Sequence, residues 1–518
     1  MSKTRQRQPS ELPEDFIQRI REQFPDSHTD FIAALDRPPR TSIRLNPHKW
    51  ERIQPKRDLP DDPVPWSVNG RFLKERPSFT LDPLFHAGGY YVQEASSMFL
   101  EHVLSRLFLH SEIDNNTGFE TAPGVILDAC AAPGGKSTLL ASLFPEALII
   151  ANEVIRSRVP PLMENSIKWG TGNIAVTQND ASHFSSLPGF FDLILADAPC
   201  SGEGLFRKHP AARLEWTAEN ANHCSLRQRS ILTDLWPALT PGGYMVYTTC
   251  TFNPEENERN VAWLLGETGG ECVRIDLADD ETHQGWGIHE ISGDTVTGYG
   301  FYPHLTPGEG FFLSVIRKSR RAQARDHTQA QDRHQSSNHG DAKRQRYSKP
   351  GKGHKGANIG FRPRTGGSRP SPVQQAESFA VQKTEGWFTG NIFAWYQIRE
   401  RLFRIRASHQ DTLMHLSGEL TVRYAGTEAG RVVRNDVLPA PAAALDIHLK
   451  PESFPQIDFT LEEAIRFLRR EKLPVPPDAN PGWHLAVYDG LPLGWAKNIG
   501  SRMNNYYPFE WRIRKTSP

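Results

Sequence analysis

The chain of 518 residues is long enough for two to four domains, and its 38% hydrophobic and 23% charged residues are ordinary for a globular protein with sizeable cores. No run of eighteen apolar residues occurs, and the polar start Met1–Gln6 leads into no apolar stretch, so neither a membrane span nor a secretory signal is expected. The formal net charge of zero conceals an asymmetry: residues 317–369 carry fifteen Lys or Arg against three Asp, a local +12 that the remainder balances with −12. Such a basic island suggests a polyanionic partner, with a solvated linker as the bland alternative. Five cysteines, Cys130, Cys200, Cys224, Cys250 and Cys272, form an odd, sparse set without metal-ligand spacing. That fits free thiols in a reducing cytoplasm and no bound metal.

Residues 12–37 begin with Phe16, Ile17 and Ile20 on one helical face, and Thr41–Asn46 alternates as a strand does. The Pro- and Gly-interrupted segment around Trp66, Phe72, Phe79 and Phe85 completes a small mixed α/β, RNA-binding domain over 1–120. Its Arg40, Arg44 and Lys49, with aromatics nearby, are candidates for RNA contacts, although taken singly each reads as an ordinary surface residue. Gly89–Ser97 leads into a helix through Phe108, followed by a loop at 111–122.

From Val125 to Lys318, strands predicted at 125–129, 147–152, 173–177, 191–196, 243–247 and 311–316 alternate with helices at about 136–143, 156–168, 218–238 and 254–265. This is the signature of a parallel, doubly wound sheet, here a domain over 121–318. Residues 319–375, rich in Gly, Ser, Gln, Arg and His, read as a basic flexible linker. Globular patterning resumes at Phe388, Ile392, Phe393 and Trp395 in a domain over 376–450. Within 451–518, Thr460–Glu463 is a capping box opening a helix with Leu461, Ala464, Ile465 and Leu468 on one face. Leu485–Trp495 reads as a hairpin with a Gly turn, and Lys497, Arg502, Tyr506, Tyr507, Trp511, Arg512, Arg514 and Lys515 follow it. A β-rich module with this basic, aromatic tail suits RNA, and a dimerising module has the same pattern.

The strand Val125–Asp128 enters the loop Ala129-Cys130-Ala131-Ala132-Pro133-Gly134-Gly135-Lys136-Ser137. A P-loop would require Gly where Cys130 stands, and the dinucleotide fingerprint G-x-G-x-x-G is absent. What remains is a compact loop whose Gly134 and Gly135 let backbone approach a ligand. The next strands end at Glu153, Asp180 and Asp197, so three carboxylates line one crevice. Glu153 is placed to accept from ribose hydroxyls and Asp180 from an exocyclic amine. With no phosphate cradle, S-adenosylmethionine fits better than a nucleotide di- or triphosphate.

Two thiols, Cys200 in Asp197-Ala198-Pro199-Cys200 and Cys250 in Thr248-Thr249-Cys250-Thr251, lie just past the ends of two apolar strands, where catalytic groups of open α/β sheets gather. Delivered to that edge from two strands, the pair reads as the working groups of an enzyme. Asn253-Pro254-Glu255-Glu256 reads as a helix start, whose positive end would favour a Cys250 thiolate against the opposing charges of Glu255 and Glu256.

The series DACAAPGGKS (128–137), ANE (151–153), ND (179–180), DAPCSGEG (197–204), TTCTFNPEENE (248–258) and FYPH…GEGFF (301–312) resembles the NOL1/NOP2/Sun family of RNA cytosine-5 methyltransferases over about residues 88–318. Leu-Pro-Leu-Gly-Trp-x-Lys at 491–497 is similar to the PUA-like module of the bacterial 16S rRNA methyltransferase F group. The resemblance implies a Rossmann-like, S-adenosylmethionine-dependent methyltransferase sheet flanked by an N-terminal RNA-binding domain and a C-terminal PUA-like module. It implies Cys250 as nucleophile, Cys200 as release base, Asp197 between cofactor and base, and backbone contact of the cofactor with the loop at Cys130. In DNA cytosine-5 methyltransferases the Pro-Cys residue is instead the nucleophile, so the motif alone leaves the division of labour open. Lys208 and Arg156 or Arg158 are further candidates for phosphate or cofactor, or simply solvated charges. The implied partner is 16S rRNA of the small ribosomal subunit, bound by a cytoplasmic monomer without metal or membrane. The same chemistry on tRNA, or a non-catalytic assembly factor, are the alternatives.

Overall fold

The computed structural model describes residues 11–54, 62–109, 122–277, 285–320, 374–390 and 392–515. Nearly all of the basic stretch and of the 111–122 loop lies outside these residues. A ten-stranded sheet runs through the middle of the molecule, in the order His289–Ser292, Thr297–Phe301, Phe311–Arg317, Leu239–Thr249, Phe191–Asp197, Val125–Asp128, Leu148–Asn152, Ile174–Thr177 and Val422–Ala425, with Glu271–Cys272 pairing beside Phe311–Arg317. The five strands from Leu239–Thr249 to Ile174–Thr177 pair in parallel, and their buried Val, Ile and Leu runs fit a sheet covered on both faces. Strand order reverses at Val125–Asp128, which lies between the later strand Phe191–Asp197 and the next strand Leu148–Asn152. A crevice forms outside the carboxyl ends at such a switch point.

Two predicted helices start later than the periodicity suggests. The helix Val159–Trp169 carries Pro160 and Pro161 in its first turn, where no N–H is needed, and this fixes its start later than 156. The helix Glu258–Thr268 begins four residues after Pro254. Asn253 O accepts from both Glu256 N and Asn257 N, and Tyr247 Oη donates to Glu256 O at 2.6 Å, so residues 253–257 form a separate anchored turn. Asn253 caps this turn as expected, its Oδ1 accepting from Glu255 N at 3.1 Å, but the regular helix starts only at Glu258.

The N-terminal helices Glu14–Gln23 and His28–Leu35 bury Phe16, Ile20, Phe31 and Leu35 against Phe206, Trp216, Phe252 and Tyr302 of the central domain. A four-stranded sheet, Asp62–Pro63, Gly70–Phe72, Ser42–Leu45 and Tyr90–Val92, follows. One set of its side chains, Phe72 with Trp66, joins the central core, whereas Ile43, Leu45 and Tyr90 share a core with Phe467, Leu468 and Leu491 from the far end of the chain. That far end is a sheet of Gln456–Asp458, Gly482–Tyr488, Leu491–Asn498 and Met503–Asn505. Its hairpin turns at Asp489-Gly490, both at positive φ, the geometry that two-residue hairpin loops require. The capping box at Thr460 and Glu463 is formed, and the helix Leu461–Leu468 buries Ala464, Phe467 and Leu468, leaving Leu461 exposed. Between these parts stands a five-stranded sheet, from Gln374–Gln375 to Asp436–Pro439. The strand Val422–Ala425 leaves it to extend the central sheet antiparallel to Ile174–Thr177.

These packings overturn the expectation that Arg44 and Lys49 reach RNA. Arg44 is buried, donating to Gln93 Oε1 (2.8 Å), Gly135 O (3.0 Å) and Thr138 Oγ1 (2.7 Å), and so braces the loop after Asp128 from behind. Lys49 is buried against Ala87 O (2.8 Å) and Lys168 O (2.6 Å). Arg40 pairs with Asp62 and lies 4.2 Å from the Phe72 ring centre. Arg44 and Lys49 thus serve acceptors inside the fold, whereas the Arg40–Asp62 pair lies at the surface.

Candidate active site

A cavity of about 830 Å³ opens at the switch point and is lined by Cys130, Ala131, Ala132, Pro133, Gly135, Lys136, Glu153, Asp180, Asp197, Cys200 and Cys250. Of the loop, crevice and cofactor candidates singled out by sequence, Gly134 and Arg156 do not line it. The φ of 113° at Gly134 makes the left-handed turn into the helix Gly135–Leu143, where a Cβ would stand 3.2 Å from Leu162.

At one end of the cavity, Glu153 is buried with Oε1 accepting from Ile155 N at 2.8 Å. Its Oε2 is without a hydrogen bond, 3.2 Å from Arg158 Nη1. Arg158 also donates to Ala132 O, tying the loop to the acidic residue, whereas Arg156 is exposed and takes no part in the lining. Asp180 accepts from Ser182 N and Oγ through Oδ1, and these bonds hold its carboxyl below the usual range. Asp128, the last residue of its strand, is buried and bonded to Ser137 Oγ at 2.6 Å. Burial pushes its carboxyl up to about 7. Cys130 is likewise pushed up to about 12 by burial and then by the charges of Asp197 and Asp128, so it is a thiol and not a nucleophile.

In the middle, Asp197 accepts from Lys136 Nζ (2.7 Å) and Thr248 Oγ1 (2.8 Å). Burial opposes the Lys136 charge, but the attraction and hydrogen bond of Asp197 outweigh it and hold the ammonium above its ordinary value, with Cys250 contributing. Lys136 is thus committed to Asp197 rather than free at the cofactor end. Lys208 pairs with Glu309 at 2.9 Å, and both line the cavity mouth.

At the other end, Cys200 Sγ and Cys250 Sγ lie 3.0 Å apart. The strands Phe191–Asp197 and Leu239–Thr249 run in parallel with Asp197 opposite Thr248, which brings the two following loops together. The loops are locked: Gly204 N donates to Cys250 O at 2.9 Å, and a Cβ on Gly204 would meet that oxygen at 2.8 Å. The Cys200 thiol is pushed well up, first by its hydrogen bond with Cys250 and then by burial and the charges of Cys250 and Glu256. Two buried carboxylates, Glu203 and Glu256, to which the sequence assigns no anchoring role, hold this end. Glu203 accepts from Arg19 Nη2 (2.7 Å), Trp216 Nε1 (3.0 Å) and Phe252 N (3.1 Å). Glu256 bridges the two cysteine loops. The signal they leave is an acidic residue within a few positions of each thiol, one that Glu256 shares with Glu255 and Glu258.

Residues 120–317 match the family model of the 16S rRNA methyltransferases RsmB/F, 12–95 the N-terminal domain of 16S rRNA methyltransferase RsmF, and 454–513 the methyltransferase RsmF PUA domain. The ribosomal RNA small subunit methyltransferase F of Pectobacterium atrosepticum is 37% identical over 336 residues, covering 60% of this chain and 63% of that protein. The match therefore spans less than two thirds of that relative's length. The protein of the same name from Escherichia coli is 31% identical over 526 residues, covering 96% of each chain. The crystal structure of PH0851 shares the fold, with a TM-score of 0.50 and 24% identity over 61% of this chain and 70% of that one. On these grounds the chain belongs to the ribosomal RNA small subunit methyltransferase F family.

Proposed function

We propose that the protein transfers the methyl group of S-adenosylmethionine to C5 of a cytosine in 16S rRNA, through a covalent adduct between a cysteine and C6 of the base. The observation that carries this reading is the pair of sulfurs 3.0 Å apart, opening into the same cavity as Glu153, Asp180 and the loop after Asp128. The residues at the far end fit the cofactor. Glu153 has a buried oxygen without a hydrogen bond, suited to a ribose hydroxyl, and Asp180 keeps Oδ2 for an exocyclic amine. When bound, S-adenosylmethionine supplies an electrophilic methyl group.

The chain's own residues do the rest. Cys250 Sγ adds to C6, which makes C5 nucleophilic. Asp197, fixed by Lys136 and Thr248, lies between the cofactor loop and the thiols and orients the cytosine edge. In the free enzyme Cys200 keeps its proton because the neighbouring sulfur raises it. Once Cys250 is bonded to carbon, its hydrogen bond and charge no longer raise Cys200, which gives up its proton to solvent; the Cys200 thiolate then takes the C5 proton as the C6–S bond breaks and Cys250 leaves as a thiolate. The substrate is read as rRNA of the small subunit because the relatives over 96% of the chain carry that name and the C-terminal segment matches a PUA domain.

Incubation with methyl-labelled cofactor and bacterial RNA tests the reading. Label at cytosine C5 of 16S rRNA is expected, and label confined to ribose, to N4 or to tRNA would overturn it. Cys250→Ala is expected to abolish transfer, a loss on the order of 10⁴-fold or more, whereas Cys200→Ala accumulates a protein–RNA adduct resistant to denaturing gels. An adduct with Cys250→Ala instead reverses the assignment.

A further inference from the structure

Glu256 is fully buried, and its carboxylate sits between the two cysteine loops. From the first loop it accepts Ser201 N at 2.8 Å through Oε2 and Ser201 Oγ at 2.5 Å through Oε1. From the second it accepts Thr251 Oγ1 at 3.4 Å and Asn253 Nδ2 at 3.5 Å. Gln228 Nε2, which also donates to Pro199 O, completes the set at 3.0 Å. Ser201 follows one thiol in sequence and Thr251 follows the other, so a single side chain sets the spacing of both. All five donors are neutral, and among the described residues no salt bridge reaches Glu256. Burial pushes the Glu256 carboxyl up while these neutral donors work against that, and the charge that it carries bears on Cys200.

We propose that Glu256 is the positioning residue of the thiol pair: through one buried carboxylate it fixes both cysteine loops and makes Cys250, not Cys200, the sulfur that reacts first. Its charge is among the causes that hold Cys200 protonated. The other titratable and charged groups around the sulfurs and Glu256 are Tyr247, Glu203, Cys224, Lys136, Arg227 and Arg229. Of these, Lys136 is engaged by Asp197 and Glu203 by Arg19, and Arg229 donates to Asn260. None therefore substitutes for Glu256 at Ser201. The inference deepens the proposed methyl transfer, and rests on that reading only for its catalytic consequence.

The reduced full-length protein is alkylated with iodoacetamide between pH 6 and 9, without RNA or cofactor, and the Cys200 and Cys250 peptides are quantified separately by mass spectrometry. In the native protein Cys250 is expected to react ahead of Cys200 across the range. Glu256→Gln keeps the size and the bonds from Ser201 N and Gln228 but removes the charge. It is expected to lower the Cys250 to Cys200 preference roughly tenfold, the size of a one-unit shift in a thiol. Glu256→Asp, which keeps the charge, restores part of the preference. Ser201→Ala retains the backbone bond and serves where Glu256→Gln folds poorly; it lowers the preference by less. Cys200 reacting first in the native protein, or an unchanged preference in folded Glu256→Gln and Ser201→Ala, overturns the proposal. A purely structural role moves both rates together and leaves their ratio alone, which also overturns it. Because no methyl transfer is measured, failure here leaves the methylation reading standing, and a failed methylation assay leaves this one standing.

Discussion

Among the described residues two aspartates are buried, and their carboxyls go opposite ways. Asp128 ends a strand at the crevice, accepts from Ser137 Oγ, and is pushed up to about 7 because burial dominates. Asp446 stands where the five-stranded sheet meets the central domain. It accepts from Arg404 Nη2 (2.8 Å), His448 N (2.7 Å), His448 Nδ1 (3.0 Å) and Thr427 Oγ1. Burial works against that charge too, but Arg404 and the hydrogen bonds outweigh it and hold the carboxyl well below its usual value. Arg404 itself lies between the rings of Phe388 and Phe393, at 4.0 and 3.9 Å from their centres. The difference is one of partners, not of depth. The scaffold's carboxylate is saturated by a cation and dipoles, whereas the crevice's cation, Lys136, is bonded to Asp197 and only partly offsets the burial of Asp128. Perturbed groups of this kind gather where chemistry is done.

The largest expected effect tests the scaffold side. Asp446→Ala leaves Arg404 buried without its carboxylate and should cost about 3–5 kcal/mol in urea unfolding. The native pair also predicts acid sensitivity. The folded carboxyl is depressed, so its contribution is present above the unfolded value near 4 and is lost as pH falls below it. A loss under 1 kcal/mol in Asp446→Ala would break the comparison.

Arg44→Met probes a second saturated charge, a guanidinium that burial lowers to about 10 and that braces Gly135. Stranding its acceptors should cost roughly 1–3 kcal/mol. The slope of RNA affinity against salt should not change; a slope reduced by about one, the signature of a lost phosphate contact, would return Arg44 to the RNA surface.

On the crevice side the sign reverses. The folded Asp128 keeps its proton to about pH 7 whereas the unfolded chain releases it near 4, so stability is present below that lower value and declines as pH rises through 7. Asp128→Asn should remove this slope, which amounts to about 3 kcal/mol between pH 5 and pH 8. Parallel unfolding curves for both proteins across that range would sink the account.

The smallest expected effect concerns the ligand. Glu153→Gln should weaken S-adenosylmethionine about tenfold by calorimetric titration, the loss of one charge-assisted hydrogen bond, with stability nearly unchanged.

Much of the crevice is legible in the order of residues alone. The strands Leu148–Asn152 and Phe191–Asp197 are short apolar runs ending in polar residues, and each end points to one edge of a parallel sheet. The capping box at Thr460 and the Asp489-Gly490 turn are likewise local statements, written in adjacent residues. The start of Glu258–Thr268 is not legible, because Tyr247, in a neighbouring strand, takes the carbonyl of Glu256 and anchors the preceding turn. Glu256 itself reads locally as a charge opposing the Cys250 thiolate, and only the meeting of two loops shows it as their common anchor.

By itself, then, the sequence determined the alternating strands and helices, the glycine loop and the two thiols, since each depends on residues within a few positions of one another. Tertiary structure decided what long-range contacts decide. Ile43 and Leu45 share a core with Phe467 and Leu468, and Val422–Ala425 closes an edge of the central sheet. Arg44 and Lys49 turn inward because the backbone carbonyls they satisfy belong to segments distant in sequence. A lysine or arginine carries the same formula on a surface as in a core; which it occupies is set by acceptors that local periodicity does not reveal.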